Sequence, residues 1–167
     1  QAAARRLAAA RVAVVGDTEL AGEMVAALEP TLPEVRLDGA PRRGDTLVVL
    51  METQGSVGRS QEVARRCREA GIPLLRVRAE QEAVTVGPYV DENFSPCLAC
   101  ACADEPEIGP RPEAARHDII VGLAARAVAA LIARATVTHL PGDARRTDLA
   151  TFTYSDRPVV SRPGCPV

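Results

Sequence analysis

The sequence predicts an α/β protein with a Rossmann-like, mostly parallel sheet, and three observations carry the prediction. Residues 11–16 are a short apolar segment that ends in Gly16, and residues 19–28 follow it with apolar side chains at helical spacing. Residues 46–51 are a continuous apolar run, which is typical of strands that a parallel sheet buries on both faces. Residues 112–135 form a long apolar stretch that predicts a long buried helix.

The remaining elements fit between these landmarks. A weaker pattern predicts a helix over residues 61–70, which ends before Gly71. Three more short strands are predicted at residues 34–37, 74–77 and 83–86. The predicted order up to residue 86 is therefore β-α-β-β-α-β-β.

The composition changes at Gly87. From there to Pro112 the chain is rich in proline, acidic residues and cysteine, which predicts a loop or an excursion from the sheet. Residues 148–160 alternate weakly and predict one or two final strands. A length of 167 residues suits a single domain over residues 1–167.

Composition excludes several classes of function. The net charge of -2 does not favour a nucleic-acid partner. All 20 basic residues are arginine, so the chain has neither a phosphate-loop lysine nor a Schiff-base lysine. No apolar run approaches the roughly 18 residues of a membrane span, and the first ten residues do not resemble a signal peptide. We therefore expect a cytoplasmic protein without a membrane partner, and the initial Gln1 suggests part of a longer product.

The loop after the first strand is the candidate nucleotide site. Backbone amides at a helix N-terminus bind phosphate when glycines let them approach, but only Gly16 and Gly22 are present here. Asp17 and Glu19 place two negative charges where phosphates would lie, and Asp38 alone matches a ribose-binding acid. We interpret the loop as degenerate, without bound cofactor or catalytic residues.

An ordinary structural role explains the same loop. In this interpretation, Asp17 or Thr18 caps the following helix, and Asp38 is solvated.

Cys97, Cys100 and Cys165 are the candidate metal ligands. A Cys-x-x-Cys turn can place two thiolates on one Zn²⁺, and Cys165 lies in a sequence that resembles part of a second knuckle. Cys102 is an alternative fourth ligand, although it follows Cys100 closely. A redox role stays open, but Cys-x-x-Cys redox motifs open a helix directly after a strand, and Pro96 does not favour that context.

The other residues with chemical potential have simpler interpretations. Cys67 shares a helical stripe with apolar residues, which predicts core packing. His117 and His139 lie at opposite ends of the long helix region, without a partner spacing that predicts a catalytic triad. The acidic residues 104–107 predict a solvated loop, with a docking surface as the alternative.

The order of these motifs resembles the E1/ThiF-like superfamily. The most specific features are Gly87-Pro88, then Pro96 followed by Cys-x-x-Cys, and a tail that closes with Arg-Pro-Val and Pro-Gly-Cys-Pro around Cys165. Within the superfamily, the chain resembles the ThiF-like cyclodehydratase partner proteins, which bind leader peptides in thiazole/oxazole-modified microcin biosynthesis. The resemblance covers nearly the whole chain and implies an E1/ThiF-type sheet with a zinc-knuckle excursion.

The resemblance also implies a function. It implies one structural Zn²⁺ held by Cys97, Cys100, Cys165 and a fourth cysteine just beyond Val167, and an upstream winged-helix-like domain that this chain does not include. It further implies that the protein presents a ribosomal precursor peptide to a YcaO-type ATP-dependent cyclodehydratase, and homodimerisation is a further possibility. The rival is a ThiF/E1-type adenylyltransferase that activates a peptide or carrier-protein carboxylate. The missing lysine and the degenerate loop at Gly16 disfavour that rival.

Overall fold

A computed structural model describes residues 1–91, 93, 95–134 and 143–165. Five helices and seven strands lie within these residues. In chain order they are α1 (Ala2–Ala8), β1 (Arg11–Gly16), α2 (Thr18–Leu28), β2 (Glu34–Leu37), β3 (Leu47–Glu52), α3 (Val57–Ala70), β4 (Leu74–Ala79), β5 (Ala83–Val90), α4 (Leu98–Cys102), α5 (Ala114–Ala133), β6 (Asp143–Asp148) and β7 (Tyr154–Pro158).

The seven strands form a single mixed sheet in the order β2-β1-β3-β4-β5-β6-β7. The first four strands in this order are parallel to one another, and the last three continue the sheet with antiparallel pairings. The chain is therefore an α/β protein, as predicted, with the Rossmann-like half at the β2 edge and an antiparallel extension at the β7 edge.

Helices cover both faces of the sheet. On one face α1, α2 and α5 pack over the larger apolar cluster, which includes Val14, Met24, Val49 and Ile120. On the other face α3 and α4 cover a smaller cluster that includes Leu50. Alternate residues of one strand point to opposite faces, so each buried strand contributes to both clusters.

The chain beyond Gly87 differs from the prediction. β5 does not end at residue 86 but continues through Gly87 and Pro88 to Val90. Gly87 has φ +109°, and a Cβ at this position would lie 2.3 Å from the carbonyl oxygen of Asp143. The Gly-Pro pair thus lies within a strand and not at the start of a loop. Glycine is required there because the backbone of β6 approaches it closely.

Three further elements were not predicted. The arginine- and alanine-rich start of the chain forms α1, which packs against α5, and Arg6 donates a hydrogen bond to the carbonyl of Ala133 at 3.1 Å. The short helix α4 lies inside the cysteine-containing excursion. The prediction of one or two strands over residues 148–160 is met by one strand, β7, whereas β6 ends where that range begins and was not predicted.

The long helix α5 is confirmed over Ala114–Ala133. Its buried side includes His117, Ile120 and Val128, while Asp118, Gly122 and Arg126 form an exposed stripe at i, i+4 spacing. Within the described residues, none of the helices is long and apolar enough to cross a membrane.

Candidate metal-binding thiol cluster and the strand-end crevice

Three of the predicted residues come together in space. One ligand atom from each of Cys97, Cys100 and Cys165 lies within 4.8 Å of the other two. The thiol of Cys165 donates to the sulfur of Cys97 at 3.4 Å, although the two residues are 68 positions apart in the chain. The tail therefore returns to the excursion at the Cys-x-x-Cys turn.

Local structure explains how the thiols are presented. Cys97 is the N-cap residue of α4 and has extended backbone, while Leu98 and Ala101 anchor the helix in the smaller apolar cluster. The turn at the end of the tail is closed by a hydrogen bond from the Cys165 amide to the Arg162 carbonyl at 3.0 Å. The Arg162 amide in turn donates to the sulfur of Cys100 at 3.4 Å.

This arrangement fits a tetrahedral metal ion. With Zn–S bonds of about 2.3 Å, two thiolates on one Zn²⁺ lie about 3.8 Å apart. The 3.4 Å separation of Cys97 and Cys165 and the 4.8 Å limit for the set bracket that distance. Thiolates are also the ligands that structural zinc prefers, so these three residues could hold a metal ion.

The titration behaviour of Cys97 disfavours the redox interpretation. Burial raises the pKa of the Cys97 thiol, and the neighbouring thiols of Cys165 and Cys100 raise it further, although the Cys100 backbone amide opposes them. A redox nucleophile needs a lowered thiol pKa. The Cys-x-x-Cys turn does open a helix, but α4 has five residues and does not follow a strand directly.

Cys102 is not part of the cluster. Its side chain packs beside the smaller apolar cluster, and burial raises its pKa to about 11. The suggestion that Cys102 replaces the fourth ligand is therefore not supported, since among the described residues only Cys97, Cys100 and Cys165 share the site.

The candidate nucleotide loop forms a crevice between the ends of β1 and β3 that is already occupied by side chains. Asp17 is the N-cap of α2 and accepts from the amide of Leu20 at 3.2 Å, as the structural interpretation predicted. Its own amide donates to the carbonyl of Met51 at 2.8 Å. A Cβ on Gly16 would lie 2.0 Å from that same carbonyl oxygen, so strand packing alone requires this glycine. Gly22 has open space around its Cα.

Arg111, at the far end of the excursion, binds the acidic side chains of this loop. Its guanidinium donates to both carboxylate oxygens of Asp17, at 2.9 and 3.0 Å, and to Glu19 at 2.7 Å. The hydroxyl of Thr53 donates to Asp17 at 3.0 Å. Hydrogen bonding from Arg111 is the main reason that the pKa of Asp17 falls to about 2. Arg111 compensates the charges of Asp17 and Glu19, so phosphate binding is disfavoured mainly because the Arg111 side chain already lies against these acids.

Asp38 is not simply solvated. Its carboxylate accepts from the amide of Gly39 at 2.7 Å and lies 2.7 Å from Arg42 and 3.2 Å from Arg36. The carboxylate that would contact a ribose in a nucleotide site thus already interacts with two guanidinium groups and with the amides of Gly39 and Ala40.

A buried ionic network on the α3/α4 face was not predicted from the sequence. Arg76 and Arg78 of β4 point to this face and are only 3% and 5% exposed. They bind Glu105 at 2.6 and 3.0 Å, and Arg157 of β7 binds its other oxygen at 2.6 Å. The prediction of a solvated acidic loop is therefore wrong for Glu105, which is 7% exposed, whereas Asp104 is 77% exposed. The alternation of Arg76 and Arg78 in β4, continued by Glu80 directly after the strand, was the available signal.

The remaining candidates have structural roles. Cys67 is buried in the smaller apolar cluster, as predicted, and burial raises its pKa to about 12. His117 lies in the first turn of α5 but is buried, and its Nδ1 is 2.9 Å from a carboxylate oxygen of Glu23. His139 lies outside the described residues.

The fold and the thiol cluster define an α/β protein that can hold a metal ion. No family model matches the sequence. No curated protein matches it either. Comparison with solved structures does find proteins with a similar fold.

Three of the similar structures come from enzymes and complexes with named roles. The heterocyclase TruD has a TM-score of 0.79 and 16% identity, over 99% of this chain and 28% of its own. E. coli MccB with AMPCPP and MccA has a TM-score of 0.74 and 12% identity, over 99% and 68%. The E. coli microcin synthetase McbBCD complex has a TM-score of 0.65 and 13% identity, over 97% and 69%. The chain thus spans little more than a quarter of the heterocyclase chain.

The ion pair between Arg111 and Asp17 yields a testable pH dependence. Replacing Arg111 with glutamine should raise the Asp17 pKa from about 2 towards its ordinary value of 3.8, because the main stabilising hydrogen bond to the carboxylate is lost. Since the folded pKa lies below the unfolded one, wild-type Asp17 adds stability above about pH 4 that is lost as the pH falls towards 2. Carboxyl-carbon NMR titration measures both proteins.

Arg126→Gln is the matched control, because Arg126 lies on the exposed stripe of α5. An unchanged Asp17 pKa in the Arg111 variant would show that the ion pair does not form in solution.

Proposed function

We propose that this protein is a ThiF-like scaffold subunit without catalysis of its own, which presents a ribosomal precursor peptide to a YcaO-type ATP-dependent cyclodehydratase and activates it. The fold supports this, since it is shared with a heterocyclase and with part of a microcin synthetase complex. The sequence motifs around Cys97 and Cys165 support it independently.

The observation that carries the proposal is the occupied crevice. Thr53 and Arg111 both donate hydrogen bonds to Asp17 at the strand ends, where nucleotides bind in open α/β sheets. A nucleotide would have to displace Arg111 and then lie against two released carboxylates, Asp17 and Glu19. These contacts disfavour the adenylyltransferase rival, which needs a bound nucleotide at this position.

Cys97, Cys100 and Cys165 would hold the proposed structural Zn²⁺. When bound, the ion would supply a cross-link between α4 and the tail and would not take part in a reaction. The residues themselves contribute the alignment: α4 presents two sulfurs, and the turn after Arg162 brings the third to within 3.4 Å of Cys97.

We predict about one zinc per chain in the full-length protein purified without chelator. Cys97→Ser and Cys165→Ser should each lose most of the metal and lower the melting temperature, because metal-binding free energy is also folding free energy. Elemental analysis and thermal unfolding measure the two effects.

Cys67→Ser is the control for a buried thiol outside the cluster, and it should keep its zinc even if its stability falls. Full zinc content or an unchanged melting temperature in either ligand variant would contradict a structural zinc.

The adenylyltransferase rival keeps one specific point in its favour, because MccB, which shares the fold, was solved with AMPCPP and MccA. We predict that isothermal titration of this protein with Mg-ATP gives no binding at micromolar concentrations, since Arg111 and Asp17 occupy the crevice. Arg111→Ala is the informative comparison, because it removes the occupant while leaving the two carboxylates in place. Micromolar ATP binding by the wild type would favour the adenylyltransferase.

The scaffold role predicts that the protein affects peptide cyclisation only when its cyclodehydratase partner is present. Mixed with its cyclodehydratase partner, ATP and a precursor peptide, the protein should promote loss of one water mass per ring formed, because tethering raises the effective concentration of the peptide at the enzyme. Mass spectrometry of the peptide follows the reaction, and omitting this protein should slow it strongly. Equal cyclisation by the partner alone would refute the scaffold role.

A further inference from the structure

Glu105 joins three separate parts of the protein. One carboxylate oxygen accepts from Arg76 at 2.6 Å and Arg78 at 3.0 Å, and both of these arginines belong to β4 in the middle of the sheet. The other oxygen accepts from Arg157 at 2.6 Å. Since Glu105 follows α4 by three residues and its amide donates to the Cys102 carbonyl, the carboxylate fixes the helix that carries two of the thiols to the sheet.

Arg157 extends this junction to the third thiol. Besides Glu105, it donates to the carbonyl of Ala101 inside α4 at 3.2 Å. Arg157 belongs to β7, and the tail that carries Cys165 continues from that strand. The tail touches the excursion again where the Arg162 amide meets Cys100. The strand that leads to one half of the thiol cluster is therefore held to the helix of the other half through the Glu105 carboxylate and the Ala101 carbonyl.

We propose that Glu105 is a positioning residue for the thiol cluster: it holds α4 and the β7 tail at the separation that brings Cys97 and Cys165 together. This inference rests on the proposed metal site. Glu105 does not touch the sulfurs, and it acts through Arg157, Arg76 and Arg78.

The alternative tie between the two segments is weaker. Asp104 also pairs with Arg162, but these side chains are 77% and 46% exposed, so water screens the pair. Glu105 is instead buried, and its loss would leave the guanidinium of Arg157 without its carboxylate partner and Arg76 and Arg78 with fewer acceptors. Of these two charged contacts between the segments, the one through Glu105 is therefore the one that a buried carboxylate provides.

The test is the metal affinity of Glu105→Gln, which keeps the shape of the side chain but removes its charge. Groups that hydrogen-bond metal ligands typically change metal affinity by about 10- to 100-fold when altered. Because Glu105 acts one contact further from the ligands, we expect the zinc dissociation constant to rise about tenfold, the lower end of that range. Competition with a chromophoric chelator measures it, at a temperature where circular dichroism shows the variant folded.

Two controls separate positioning from general loss of stability. Glu107→Gln removes an exposed acid two residues away and should leave the affinity unchanged. Met24→Ala destabilises the opposite face of the sheet, where Met24 is fully buried, and should lower the melting temperature without weakening zinc binding. A Glu105→Gln variant that is folded and binds zinc within twofold of wild type overturns the proposal.

Arg157→Met provides a second route, since Arg157 is 41% exposed and its loss spares the buried arginines. If both residues act through their mutual contact, the double variant should weaken zinc binding no more than the worse single variant. Additive effects of the two changes would contradict the proposed linkage. If Glu105→Gln does not fold, Arg157→Met alone is the test, and an unchanged zinc affinity in that variant would contradict the linkage.

A metal-free measurement distinguishes failure of this inference from failure of the zinc site. In a Cys100→Ser background, glutathione disulfide oxidises Cys97 and Cys165 to one protein disulfide and releases two glutathione thiols. The equilibrium reports how close the two thiols are held, and Glu105→Gln should shift it about tenfold towards the dithiol. If the purified wild type contains no zinc but Glu105→Gln shows this shift, the metal site is refuted and the positioning role of Glu105 is supported. No shift would refute Glu105.

Discussion

Two arginines in the middle strand of the sheet are the constraint on which one face of the protein depends. Arg76 and Arg78 are buried among strands, and a buried guanidinium without a carboxylate would cost several kcal/mol. Glu52 pairs with Arg76, Glu80 pairs with Arg78, and Glu105 bridges the two. Because Glu105 comes from outside the sheet, the excursion has to fold back over β4 to provide it.

The same charges account for the course of the chain after α4. Arg78 also donates to the carbonyl of Pro106 at 2.8 Å, and Glu80 accepts from the amide of Gly109 at 2.7 Å. Residues 105–109, which the sequence suggests are a polar loop, are thereby bound along β4. Beyond them, Arg111 reaches the ends of β1 and β3. The network on β4 thus delivers the side chain that fills the crevice.

The repeating apolar patterns carried most of the fold prediction. The run that became β3 and the spacing in α2 and α5 were predicted within a few residues, because burial selects apolar side chains at fixed periods. β5 was cut short at Gly87 because Gly-Pro is typical of turns, whereas here the close approach of β6 requires the glycine. Helix α1 has no such pattern to reveal it, since alanine and arginine dominate it.

Site residues were predictable where their chemistry is rare and unpredictable where it depends on pairing. Cysteines at Cys-x-x-Cys spacing suggested Cys97 and Cys100 directly, and Cys165 followed from its resemblance to a second knuckle. Glu105 has the same local composition as the exposed Asp104, so the two acids differ only through contacts made by distant arginines. For the same reason, Arg111 could not be matched to Asp17, which is 94 residues away in the chain.

The two faces of the sheet also differ in what stabilises them, and this difference gives the thiol cluster its importance. The α2/α5 face is held by the larger apolar cluster, for which burial of side chains supplies the free energy. The α3/α4 face has the smaller cluster, and its charged network contributes little net stability once the desolvation of each ion is counted. A metal ion between Cys97, Cys100 and Cys165 would add its binding free energy on that weaker face. The same ion would also fix the tail against α4, and so reduce the conformational freedom of the segment that follows β7.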